Sequence, residues 1–192
     1  MTAVPDWLIP PVDGFTADDL DRLPDLPPHT ELLDGSLIFV SPQKYFHSVA
    51  MFLFEVGLRA TAPDDVRVVR EMAITLGMRD RPEPDLSVVR ASAVTAERDE
   101  TGYQVADVVL AVEVVSPDSV IRDREVKPRK YAEAGIPHFW RVEKGDKGRP
   151  VVYVYERDPA TKSYGLTGIY HDELKTDFPY PIAIDLTAID RL

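Results

Sequence analysis

Residues 108–115 read Val108-Val-Leu-Ala-Val-Glu113-Val-Val115. Seven of the eight are apolar and five are valine, the pattern of a β-strand buried on both faces and covered by helices. Glu113 breaks the run. An ionised carboxylate inside such a strand costs several kcal/mol unless something positive faces it, so a partner is required. An arginine, or a flank open to water, would meet that requirement as well as a metal ion would.

Working outward, Ser119 to Ala134 turns to a helical period, with Gly135 placed as C-cap and Pro137 just beyond it. Asp123, Lys127 and Tyr131 stand at i, i+4 and i+8 and share one face of this helix. Pro128 fits either a kink or a first turn starting near Lys127. His138–Glu143, Val151–Arg157 and Tyr164–Tyr170 read as strands, and the tail from Pro179 to Leu192 is apolar enough to pack back on the body. Upstream, Val66–Leu76 and Asp85–Val89 are strand-like. The helical period of Phe46, Val49, Ala50, Leu53, Phe54 and Leu58 predicts a core helix from Ser41-Pro42, as N-cap and first residue, to about Ala60. Glu31 to Val40 holds the turn signal Asp34-Gly35 between apolar stretches and predicts a hairpin. Thr16-Ala-Asp-Asp19 predicts a capping box opening a short helix that ends before Pro24. The fold class expected is α/β (α+β), a central mixed β-sheet flanked by helices with extra C-terminal strands, in a single domain spanning 1–192 whose residues 1–14 form an extended arm.

Composition narrows the chemistry. The 192 residues contain no cysteine, which removes disulfides, thiolate zinc sites, iron–sulfur clusters and cysteine nucleophiles. Any metal must be held by oxygen or imidazole. The start, MTAVPDWLIPPVDG, lacks a signal-peptide pattern and no apolar run is long enough to span a bilayer, so a soluble cytoplasmic protein with no membrane partner is expected. The net charge of −11 argues against coating a polyanion with the whole surface. Between Arg122 and Arg149, however, nine basic residues meet five acidic ones, which leaves a net −15 for the rest.

Asp85 opens its strand directly after Pro82-Glu-Pro84. Two neighbouring strands can set Asp85 and Glu113 side by side, an arrangement that repels unless a divalent cation lies between the two carboxylates. An aspartate after proline is also a common turn residue. A lysine such as Lys127, on a helix face turned toward that pair, can orient an attacking water or neutralise charge on a phosphate; the same spacing also suits a solvated face laced with ion pairs.

Taken in order, Glu31-Leu-Leu-Asp-Gly, Ser41-Pro with His47, Pro84-Asp85, Val112-Glu113-Val-Val-Ser-Pro117, Asp123 with Lys127 and Tyr131, and Ala134-Gly-Ile-Pro-His-Phe-Trp-Arg-Val142 resemble the Uma2 family of restriction-endonuclease-like proteins, within the PD-(D/E)xK nuclease superfamily. The resemblance covers roughly residues 15–190. It implies a four-stranded mixed sheet flanked by helices, Asp85 and Glu113 as acidic Mg²⁺ ligands, and Lys127 as the catalytic lysine. The superfamily usually carries that lysine two residues after the second acid, where this chain has Val115; in the family's pattern it sits on the following helix. Glu31 would correspond to an acid of an early helix and serve as a further metal ligand, and His47 and Tyr131 look like residues of the site rim, beside Asp123.

Mg²⁺ prefers one or two carboxylates plus water and phosphate oxygens, with Mn²⁺ as substitute, which suits this donor set. The expected activity is Mg²⁺-dependent endonucleolytic hydrolysis of phosphodiester bonds in DNA, with Arg122, Arg124, Arg129 and Lys130 as phosphate contacts. The other readings are a non-catalytic nucleic-acid- or protein-binding module that keeps the nuclease fold, and a metal-free hydrolase with paired carboxyl groups about 5 Å or more apart. A homodimer, formed through the C-terminal strands, would suit an enzyme that cuts both strands.

Overall fold

The computed structural model describes residues 5–97, 99 and 101–192. Of the expected N-terminal arm, residues 1–4 lie outside the described residues; the rest holds one 3₁₀ turn at Asp6–Leu8, after which Ile9 and Val12 are exposed. At Thr16 the Asp19 carboxylate accepts from the backbone N–H at 2.7 Å and from the hydroxyl at 2.8 Å. The helix it caps is shorter than expected, a single 3₁₀ turn at Ala17–Asp19. So few residues ahead of Pro24 give too few hydrogen bonds to offset nucleation.

Strands β1 (Glu31–Leu33) and β2 (Ser36–Ile38) form the expected hairpin, with Asp34 (φ 49°) and Gly35 (φ 75°) both left-handed at its two-residue turn. Helix α1 spans Tyr45–Ala60, starting after Lys44 rather than at Ser41-Pro42. Ser41 to Lys44 are exposed, and the first deeply buried side chain is His47, so packing and not the Ser-Pro signal sets where the helix begins. The stretch 66–76 divides into β3 (Val66–Arg70) and β4 (Ala73–Thr75), separated at Glu71, whose φ of 50° no strand tolerates.

Strand β5 is Leu86–Arg90, and β6 (Gly102–Gln104), not expected from sequence, pairs in parallel with β4. The apolar run becomes β7, Val108–Val114. A helix then begins near Val120 and passes through a π-helical stretch, Arg122–Val126, into α2, Lys127–Ala134, which carries Pro128 in its first turn and ends on Gly135 at φ 110°. Strands β8 (His138–Lys144), β9 (Pro150–Asp158), β10 (Ser163–Tyr170), β11 (Glu173–Thr176) and β12 (Ile182–Asp185) follow, with a 3₁₀ turn at Leu186–Arg191.

The central sheet has six strands in the order β10-β9-β8-β7-β5-β3, more than the four the family resemblance implies. Within this sheet, among the described residues, only β7 and β8 run parallel, and α2 supplies the crossover that this pair requires. The extra strands β9 and β10 extend the sheet, and β10 leaves one edge exposed. The alternation of β7 decides where its side chains go. Leu110, Val112 and Val114 belong to the core under α1, with Phe54, Leu58, Trp140 and, from the tail, Ile184 and Leu186. Ala111 belongs to the opposite core, with Tyr131 of α2, Ile136 just beyond it and Phe139 of β8. Glu113, two residues beyond Ala111, therefore faces α2. Among the described residues, no helix is long and apolar enough to cross a membrane.

Candidate active site

Glu113 is buried to 2 % exposure, and the partner it requires arrives from α2. The Lys127 ammonium lies 3.0 Å from each Glu113 oxygen, and the Tyr131 hydroxyl donates to Oε1 at 2.6 Å. The i, i+4 spacing thus does place both side chains over the strand. Asp123, one turn earlier in the π-helical stretch, has Oδ1 3.8 Å from Lys127 Nζ, while its other oxygen accepts from the Ser119 hydroxyl. Widened helical turns of this kind recur at functional sites.

Asp85 stands immediately before β5. Leu86 is paired with Val112, so Asp85 is the residue that meets the Glu113–Val114 end of β7: its Oδ2 accepts from the Val114 N–H at 2.6 Å. Its Oδ1 lies 2.9 Å from His47 Nε2, on the first turn of α1. Glu31 reaches the same place from β1. Its Oε1 accepts from the Glu83 N–H at 2.8 Å and lies 2.7 Å from Lys127 Nζ. Glu31 therefore sits on the hairpin that its own sequence signals, not on the helix implied by the resemblance.

Of the seven sequence-selected residues, Glu31, Glu113, Asp123, Lys127 and Tyr131 are thus joined by direct side-chain contacts, and the paired Asp85 and His47 meet them through the Val114 backbone N–H. Burial pushes the Glu113 carboxyl well above its ordinary range, against the pull of Lys127. The same cause pushes Asp123 up to about 6, opposed by Lys127 and the Ser119 hydroxyl. Burial acts on Lys127 in the opposite direction to its neighbours; Glu113, Glu31 and Asp123 outweigh it and hold the ammonium protonated. The Tyr131 phenol is raised by burial and by Glu113, so it is a hydrogen-bond donor at every working pH.

A cleft of about 60 Å³ opens on this cluster, room for a few water-sized bodies. Glu31, Glu71, Glu83, Asp85, Glu113, Asp118 and Asp123 line it against the cations Lys44, Arg122 and Lys127, so carboxylate charge dominates. Among the described residues no three acidic or histidine side chains form a ready coordination shell, because Lys127 stands between Glu31 and Glu113. The donor set nevertheless fits Mg²⁺, which needs only one or two carboxylates and keeps the remainder as water and phosphate. Asp123 Oδ1 is a buried acceptor without a hydrogen bond in that cleft, the kind of atom that a hydrated cation would satisfy.

The four expected phosphate contacts divide. Arg122 lines the cleft, with a buried Nε lacking a partner. Arg124 is bonded to Glu143, and Arg129 is exposed beside Glu133. Lys130 is turned away, 2.6 Å from Asp34 and 2.7 Å from Asp80, where it ties α2 to the β1–β2 turn. Charge counting along the chain could not foresee these acids, which lie far from Lys130 in sequence.

His29, whose spacing gave no reason to include it, also lines the cleft, with Nδ1 2.5 Å from Glu83 Oε1. Hydrogen bonding to Glu83 raises the pKa of His29, and burial raises that of Glu83. The sequence signal for this pair was Pro82-Glu-Pro84, two prolines that fix the backbone on either side of Glu83.

No curated protein shows significant similarity to the chain. Among solved structures, a crystal structure described as "a putative nuclease belonging to DUF820" from Anabaena variabilis shares the fold, with a TM-score of 0.64 at 18% identity over 79% of this chain and 83% of that one. The family model described as "Putative restriction endonuclease" matches residues 17–183, a span that contains every residue of the cluster. By that match the chain belongs to the Uma2 family.

Proposed function

We propose that the protein is a Mg²⁺-dependent endonuclease that hydrolyses phosphodiester bonds in DNA. The observation carrying this reading is the convergence of Glu31 and Glu113 on one buried lysine, Lys127, at the floor of an acidic cleft that Asp85 also lines. Support also comes from membership of a family described as restriction endonucleases and from the fold shared with a protein described as a nuclease.

Asp85 and Glu113 would hold the metal, with Glu31 as a further ligand directly or through water. When bound, Mg²⁺ supplies Lewis acidity at the scissile phosphate and lowers the pKa of a water. The protein's part is to fix the donors. His47 and the Val114 N–H hold the Asp85 carboxylate, and Tyr131 holds Glu113, so neither has to reorganise on binding. Lys127 brings a permanent positive charge to where negative charge grows on the phosphorane, and Arg122 lies near enough to meet a phosphate oxygen. A homodimer would bring two such clefts to a duplex.

One observation favours a second reading. Both partners of Lys127 are carboxylates at hydrogen-bond distance, so the lysine could serve as a permanent counter-ion in a binding module that does not cut. Plasmid cleavage separates the two. Nicking with Mg²⁺ or Mn²⁺ that is lost in EDTA and in each of Asp85→Ala, Glu113→Ala and Lys127→Ala is expected; cleavage that persists in EDTA would overturn the proposal. Absence of Mn²⁺ binding by calorimetry, together with absence of cleavage, would establish the second reading.

A further inference from the structure

A larger hollow of about 640 Å³ adjoins the catalytic cleft, and Lys44, His47, Ser116 and Pro117 line both. Its other walls come from the start of α1, the helix after β7 at Val120 and Arg124, the end of β8, the loop between β8 and β9, and the C-terminal turn at Ile189 and Asp190. It falls within the roughly 300–1,000 Å³ of sites that enclose a ligand of nucleotide size.

The charges here differ from those of the acidic cleft. Lys44, Lys144 and Lys147 line the hollow, all exposed, and none has an ion pair among the described residues. The acids beside them, Glu143 and Asp190, are already engaged by Arg124 and Arg149 respectively. Of the seven lysines, Lys127 and Lys130 are internally paired; three of the remaining five gather in this one hollow of a protein with net charge −11. Two aromatic rings accompany them. Tyr45 is 73 % exposed, and Lys144 Nζ lies 5.8 Å from the Phe46 ring centroid. Where the two hollows meet, His47 is 4 % exposed and its Nδ1 has no partner, leaving a buried polar atom at the junction.

We infer that this hollow binds the single-stranded stretch of DNA flanking the phosphate held in the cleft, with Lys44, Lys144 and Lys147 on its phosphates and Tyr45 stacked on a base. Unpaired cations interleaved with an exposed ring are what a strand with unstacked bases recognises, because each exposed base offers a face for stacking. Lys147 is presented at the tip of its loop by a left-handed backbone, φ 61°, followed by Gly148 at φ 82°. The inference rests on the reading of the cleft as a DNA phosphodiesterase, and names the path of the strand leaving it. It also moves the main phosphate contacts away from Arg129 and Lys130, while Arg124 lines the hollow but is held by Glu143.

The test is fluorescence anisotropy of a short fluorescein-labelled oligothymidylate with the full chain, in EDTA at low ionic strength, so that no cleavage contributes. Lys144→Glu/Lys147→Glu is expected to bind at least about tenfold more weakly, with a log–log salt slope shallower by about 1.4, that is about 0.7 for each lost single-strand phosphate contact. Tyr45→Ala is expected to weaken binding by about tenfold while leaving the salt slope unchanged. Lys162→Glu/Lys175→Glu makes the same charge change on the two unpaired lysines outside the hollow and is expected to bind as wild type. Equal weakening by both lysine pairs, wild-type binding by the Lys144/Lys147 variant, or tighter binding of duplex DNA or of oligouridylate would overturn the inference. Loss of binding in the hollow variants from a wild type that never cleaves DNA would sink the proposed activity and leave this site standing. Metal-dependent cleavage by a hollow variant with undiminished affinity would do the reverse.

Discussion

Lys127 Nζ lies 2.7 Å from Glu31 Oε1, an ion pair that closes the cleft by joining the first residue of α2 to the first residue of β1. Both side chains are at most 5 % exposed. Charges this far from water are strongly coupled, and removing one partner of a buried pair costs about 3–5 kcal/mol because the other is left uncompensated. Lys127→Met should therefore lose about that much stability at neutral pH, measured by urea denaturation. Without the ammonium, Glu113 and Asp123, already raised by burial, would rise further. A raised acid contributes stability below its unfolded pKa and loses it as pH rises through the folded one. The deficit of the variant should accordingly shrink at pH 4–5 and grow toward pH 8; a deficit independent of pH would refute the coupling.

Tyr131 offers a change that removes one hydrogen bond and almost no volume. Its hydroxyl donates to Glu113 Oε1 at 2.6 Å inside the protein. Tyr131→Phe leaves that oxygen with Lys127 alone, an expected cost of about 1–3 kcal/mol. Groups that orient metal ligands typically contribute about 10–100-fold in affinity or activity. Mn²⁺ affinity, followed by calorimetry, should fall within that range while the fold, followed by circular dichroism, persists. Unchanged affinity would restrict Tyr131 to packing.

Cation binding should itself depend on pH. Asp123 is pushed up to about 6 and Glu113 is raised as well, so both carry protons over part of the range in which a free carboxylate would not. A cation competes with those protons, and affinity must fall as the protons return. Mn²⁺ binding is expected to be weak at pH 5 and to strengthen as pH rises through 6, where Asp123 loses its proton, with proton release seen as a dependence of the binding heat on the buffer. Asp123→Asn should flatten the lower part of that profile. A flat profile in the wild type would mean that neither acid takes part.

The candidate site was legible in sequence to the extent that local pattern governs it. Glu113 announced itself by breaking an apolar strand, and Lys127 with Tyr131 by helical spacing, because alternation and helical period are properties of short segments. Even Pro84-Asp85 was readable, since the strand after it was. Contacts set by tertiary packing were not readable: the Glu83–His29 pair, the hollow lined by Lys44, Lys144 and Lys147, and the diversion of Lys130 to Asp34 and Asp80 each join residues remote in the chain. Element ends failed for a related reason. α1 begins where His47 and its neighbours become buried, and the strand expected over 66–76 breaks at the left-handed Glu71.

Lys130 permits a test of that last distinction between charge on paper and charge in place. Its ammonium bridges Asp34 and Asp80, and Asp80 Oδ1 also accepts from the Asp34 N–H at 2.8 Å, so the lysine braces the turn of the hairpin that carries Glu31. Lys130→Ala should lower stability by on the order of 1 kcal/mol, as expected for a small, partly solvated network. If the lysine instead met DNA, its loss would reduce the salt slope of binding by about 0.7–0.9. The expected result is a lower urea midpoint with an unchanged salt slope. Because Glu31 rides on the braced hairpin, Mn²⁺ affinity should weaken in parallel with stability, and Asp80→Asn should reproduce both effects. A lost salt slope with undisturbed stability would return Lys130 to the DNA-binding surface.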